Sequence, residues 1–147
     1  MKPMIMLLCA VLGCMGVAVA QEQDWLSGTW KGMTKLVFAS SPNMRQRAAL
    51  NGPGAETVFH LQYNPATKVI TGTGEAQNLQ IANSNLTMTV LEGSVFDGDK
   101  GVLIFQQHGG VMDGEVRKFV MERKDNGSLS GYNDIRNMRF EIQLQRQ

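Results

Sequence analysis

From Thr29 onward, apolar side chains recur at every second position in short runs. Turn chemistry separates these runs about every 8–12 residues, the spacing of an all-β chain. Thr29 to Phe38 places Trp30, Leu36 and Phe38 on one face, and Glu56 to Tyr63 places Thr57, Phe59, Leu61 and Tyr63 on another. Asn64-Pro65-Ala66-Thr67 then reads as a turn, because proline presets φ and asparagine tolerates tight geometry. Lys68 to Gly74 returns as the hairpin partner. Asn78 to Ala82, Leu86 to Leu91 and Val116 to Glu122 read as further strands, and Val102-Leu103-Ile104-Phe105 is apolar enough to be covered on both faces. Asn83-Ser84-Asn85 and Phe96 to Gly101 read as turns, and His108 to Gly114 as a wider loop. Asp125-Asn126-Gly127 is the strongest two-residue hairpin signal. In the last run Met138, Phe140, Ile142 and Leu144 alternate with charged and amide residues without a fault, giving one dry face and one wet one.

The pattern breaks once. Pro42 to Pro53 holds helix formers between a candidate Asn43 cap and a Gly52 stop. A helix that short needs docking to be stable, and its place between the first two strands makes it a flap over one open end. The expectation is therefore all-β: a single antiparallel up-and-down β-barrel of about 8–9 strands over residues 21–147, with one short helix between the first two strands.

Residues 1–20 follow a different pattern. Lys2 precedes an apolar stretch from Met4 to Gly13, and Ala18-Val19-Ala20 before Gln21 has the form of a signal-peptide cleavage site. Export to the periplasm or beyond is expected. Cys9 and Cys14 both lie in this segment, so a processed chain would be cysteine-free, with neither disulfides nor thiol chemistry. Val11-Leu12-Gly13-Cys14 also passes as a lipobox, and lipidation at Cys14 is the one route by which a membrane would become a partner. Charge is nearly balanced, with 14 basic and 13 acidic residues. No like-charge run offers a footprint for nucleic acid or a membrane surface.

The segment Asp24-Trp25-Leu26-Ser27-Gly28-Thr29-Trp30 resembles the first-strand motif of lipocalins and avidins, the calycin barrels. Val69-Ile70-Thr71-Gly72-Thr73-Gly74 resembles the strand end of avidin-type hairpins. The resemblance implies a barrel closed at the Trp30 end and open at the other, with an internal cavity. It also implies an arginine from the last strand bracing Trp30, for which Arg139 and Arg136 are the candidates, although parity puts Arg139 outside. The chain departs from these families in two ways. Gly131-Tyr132-Asn133-Asp134 is only a loose echo of the second lipocalin motif. Trp25 and Trp30 are the only tryptophans, so those lining an avidin biotin site have no counterpart. Independently of any family, a tryptophan at a barrel end fills the taper and its indole N–H needs a partner there.

Candidate chemistry is sparse. Phe59, Leu61, Tyr63, Met88, Met121, Met138 and Phe140 should line the interior as ligand-binding side chains, where methionine adapts readily to an apolar ligand or equally to a closed core. His60 beside Glu56 and His108 with Asp113 are the groups able to titrate near neutrality. His60 alternates with Phe59 and Leu61 onto the outer face unless the register is reversed. His108, Asp113 and Glu115 match no strict metal-site spacing, and Asp97-Gly98-Asp99-Lys100-Gly101 lacks the bidentate glutamate of a calcium loop. No motif calls for a cofactor, a metal or a catalytic constellation. Asn85 and Asn126 head glycosylation sequons. Three readings stay open. The first, and the expectation, is an exported lipocalin-like barrel binding a small apolar or amphipathic ligand inside. The second is a packed barrel that binds a protein partner, as an inhibitor or envelope-assembly module. The third is a small exported enzyme using His60 or His108.

Overall fold

The computed structural model describes residues 24–78 and 85–147. The expected signal segment with Cys9 and Cys14, and all but the first residue of the expected Asn78–Ala82 strand, lie outside the described residues. The elements are β1 (Gly28–Ala39), α1 (Met44–Asn51), β2 (Ala55–Asn64), β3 (Val69–Asn78), β4 (Leu86–Val90), β5 (Val95–Asp97), β6 (Lys100–His108), β7 (Val116–Arg123), β8 (Leu129–Ile135) and β9 (Met138–Arg146). The sheet runs β4-β3-β2-β1-β9-β8-β7-β6-β5, and a further β4–β6 pairing closes it. Every pairing is antiparallel. β5 runs on from β4 along the same flank of β6, so the structure is an eight-strand closed barrel with one extra short strand.

Closure follows from the two-residue period. Residues sharing parity along each strand turn one face inward, and Phe59, Leu61, Ile70, Met88, Leu103, Phe105, Phe119, Met121, Leu129, Ile142 and Leu144 meet in one buried core. Bending needs close backbone approaches, and Gly32 supplies one at the β1–β9 seam. A Cβ there would stand 1.8 Å from the Gln143 carbonyl oxygen.

The Trp30 end is packed shut. Trp30 is 1% exposed, and its indole N–H donates to the Leu26 carbonyl at 2.7 Å. Trp25 meets Trp30 edge-on at 6.3 Å between ring centroids and Phe96 at 5.4 Å, with the Arg123 guanidinium 4.7 Å from the centre of the Trp25 ring. The last-strand arginine at this end is Arg146, paired across the sheet with Trp30 and donating to the Ser27 carbonyl at 2.7 Å. Arg139 and Arg136, the candidates from sequence, lie at the opposite end of the barrel. They are held there because the β8–β9 hairpin pairs Arg139 with Asp134, and Glu115 engages Arg136.

Four local expectations are corrected. Phe38 does not share the inward face of Trp30 and Leu36, because a register shift between Leu36 and Phe38 flips the parity. Phe38 is 55% exposed and Ala39 is buried instead. Phe96 and Asp97 belong to β5 rather than to a turn, since Phe96 docks under Trp25. The β7–β8 connection is longer than a two-residue turn: Gly127 N–H bonds to the Lys124 carbonyl, Lys124 N–H bonds to Ser128, and of its residues only Gly127 takes a positive φ. β6 is not evenly covered on both faces, because Leu103 and Phe105 are buried while Val102 and Ile104 are half-buried.

The Asp134–Arg139 pair is bidentate, with both bonds 2.7 Å. Hydrogen bonding and charge from Arg139 hold the Asp134 carboxyl below its ordinary value of 3.8. A depressed folded-state value contributes stability above the unfolded value, and that contribution is lost as pH falls through the folded one. The pair is exposed, so the effect is small. Asp134→Asn is expected to lower stability slightly at neutral pH and to leave it unchanged at the acid end, which flattens the acid side of the profile. Urea midpoints measured from neutrality to below pH 3.8 check it.

Candidate ligand pocket at the open end

The chain closes the other end differently. Asn43 caps α1 through a reciprocal capping box: Gln46 N–H donates to Asn43 Oδ1 at 2.9 Å, and Asn43 N–H to Gln46 Oε1 at 3.0 Å. Gly52 ends the helix, as expected from sequence. Gln46 Nε2 reaches the Met138 sulfur at 3.4 Å, which ties the helix to the β8–β9 hairpin. Yet α1 has no buried residue. It lies over the mouth rather than inside it. Gly54, at φ 92°, lets the return into β2 lie directly on β1, where a Cβ would come within 2.4 Å of the Thr34 carbonyl oxygen.

Beneath α1 the barrel keeps an unfilled volume of about 140 Å³. Its walls are Thr34 and Leu36 from β1, Thr57 from β2, Ala76 from β3, Leu86 and Met88 from β4, Phe105 and Gln107 from β6, Arg117 and Phe119 from β7, and Phe140 from β9. Ala49 of α1, with Gly52, Gly54 and Ala55 beyond it, completes the lining. Thr34 and Thr57 satisfy each other at 2.9 Å, so their hydroxyls do not need a ligand.

A polar cluster sits at the inner ends of three adjacent strands. Gln107 is 3% exposed and Asn133 is 4% exposed, with the Arg117 guanidinium between them. Arg117 Nε and Nη2 donate to Asn133 Oδ1 at 3.1 and 2.7 Å, and Nη1 donates to Gln107 Oε1 at 2.9 Å. The amides are themselves anchored: Asn133 Nδ2 donates to the Lys118 carbonyl at 2.6 Å, and Gln107 Nε2 to the Gly109 carbonyl at 3.0 Å. The guanidinium also lies 4.9 Å from the Phe140 ring centre and 5.8 Å from that of Phe105. Burial lowers the Arg117 pKa from its ordinary value, opposed by the charge of Glu115. The group remains a cation at neutral pH, as arginine does in proteins.

Of the residues expected to contact a ligand, Met88 and Phe140 line this pocket. Phe59, Leu61, Tyr63 and Met121 are buried in the core, outside the pocket lining. Met138 is half-buried on the hairpin and engages Gln46. Both histidines are exposed on the outer face: His60 Nδ1 bonds Thr29 Oγ1 and His108 Nε2 bonds Thr89 Oγ1, each at 3.1 Å. Neither meets its proposed carboxylate, because Glu56 pairs with Lys31 at 3.1 Å and Asp113 accepts from Gly109 N–H at 2.7 Å.

Sequence reasoning did not single out Arg117, Gln107 or Asn133. The available signal was parity. Arg117 alternates with Phe119 and Met121, Gln107 with Phe105 and Leu103, and Asn133 with Gly131 and Leu129, so all three share the inward face. No protein-family model matches this chain, and no curated protein or solved structure is significantly similar to it.

Proposed function

We propose that this chain is a calycin-type binding barrel, exported from the cell, that takes a compact and mainly apolar ligand in the pocket under α1. One observation carries the reading: the Trp30 end is filled by side chains, whereas the α1 end retains about 140 Å³ bounded largely by apolar groups. An engineered apolar cavity of about 150 Å³ admits benzene. The fit is therefore to a single ring or a short chain rather than a long lipid.

Binding should be read at the pocket itself, since Trp25 and Trp30 stand at the far end. In methyl-labelled protein, the Met88 methyl resonance is expected to shift on titration with a panel of benzoate, benzamide, benzyl alcohol and benzylammonium. A bound member should also raise the unfolding free energy, by about 2.7 kcal/mol at a hundredfold excess over its Kd. If no member of the panel moves Met88 or the unfolding midpoint, the barrel is a packed module and the reading fails.

A further inference from the structure

Taking the pocket to be a ligand site, we propose that it selects anions: Arg117 receives the carboxylate of a compact monocarboxylic acid, whose ring or short chain occupies the apolar part. Arginine carries five N–H donors, and three of them are committed to Asn133 and Gln107. Two remain in a guanidinium that lines the cavity.

The charge is more telling than the donor count. Among the described residues, Arg123, Arg136 and Arg139 each lie against a carboxylate on the surface, at Asp99, Glu115 and Asp134. Arg117 has no carboxylate within ion-pair distance among the described residues; Glu115, whose charge acts on it, is engaged by Arg136. The two neighbours of Arg117, Gln107 and Asn133, are amides that orient the fork and leave its charge whole. Arg117 is half-buried, and holding a cation even partly out of water without a paired counter-charge is costly. Glutamate and aspartate in place of those amides would supply acceptors of the same shape and cancel the charge. Neutral acceptors instead keep a fixed, oriented positive site facing a cavity with apolar walls. A ligand carboxylate restores electroneutrality there and gains charge-assisted hydrogen bonds, whereas an amide of the same shape gains only ordinary ones.

Isothermal calorimetry on the whole protein with benzoate, benzamide and benzylammonium tests this. Benzoate is expected to bind at least about tenfold more tightly than benzamide, a difference of about 1.4 kcal/mol, and benzylammonium not at all. The Arg117 Nη–H resonances should shift with benzoate. Gln107→Glu, which brings a carboxylate to the Arg117 fork, should weaken benzoate at least about tenfold and change benzamide little. The wild-type ranking decides even where that variant folds poorly. Equal affinity for benzoate and benzamide overturns anion selection and leaves the ligand pocket standing, as does benzoate binding with the Arg117 Nη–H resonances unmoved. Undiminished benzoate affinity in a folded Gln107→Glu also overturns it. Failure of all the compounds, with Met88 unmoved, removes the pocket reading as well.

Discussion

Trp30→Ala is expected to lower the unfolding free energy by about 3–5 kcal/mol, the range for truncating a large buried aromatic. Three losses combine at that position. The ring is 1% exposed, so its removal leaves a cavity at the narrow end, where β1 and β9 cannot collapse around it without breaking the sheet. The Leu26 carbonyl loses its 2.7 Å donor. Trp25 loses its edge contact with Trp30, one of the three ring contacts that hold it, the others being Phe96 and Arg123. Trp30→Phe separates these effects, because it retains most of the packing and leaves the Leu26 carbonyl unmatched, for about 1–3 kcal/mol. Urea unfolding at unchanged m-value measures both. A loss below about 1 kcal/mol for the alanine variant would show that this end is not the packed base.

Gly32→Ala is expected to be nearly as damaging for a change of one methyl group, at about 3 kcal/mol or more. The added carbon would stand 1.8 Å from the Gln143 carbonyl oxygen and 2.9 Å from the Leu144 Cα, so relief requires backbone movement. That backbone is the seam between the first and last strands, on which closure depends. Lys35→Ala, an exposed change on the same strand, should stay within about 0.5 kcal/mol. Thermal unfolding compares the two, and faster amide exchange along Gln143–Gln145 would place the Gly32 damage at the seam. Equal stability of both variants would show that β1 and β9 separate without penalty.

What the chain discloses in advance depends on how sharply polar and apolar alternate. β9 and β2 are legible because Phe140, Ile142 and Leu144, and likewise Phe59, Leu61 and Tyr63, alternate cleanly with polar neighbours. α1 is legible because Asn43, Gln46 and Gly52 are cap chemistry with a local cause. β8 is not, since its inward positions carry Gly131 and Asn133 where the pattern demands bulk. The register shift before Phe38 is invisible because one extra residue in a strand changes parity without changing composition. The pocket was hidden for a related reason. Arg117 stands next to Lys118 and reads as part of a wet flank until it is counted with Phe119 and Met121. Its meaning also depends on Gln107 and Asn133, which arrive from other strands only once the barrel closes.

α1 sits over the mouth without burying a side chain, and its capping bonds are internal to the helix. Swinging it aside therefore exposes no fully buried side chain, and gives up its packing on β1 and the touch of Gln46 on Met138. If the pocket is the ligand site proposed above, admission and release are uncoupled from the cohesion of the staves. Residence time should be governed by one short hinged segment, and a guest can turn over quickly inside a shell that itself stays rigid.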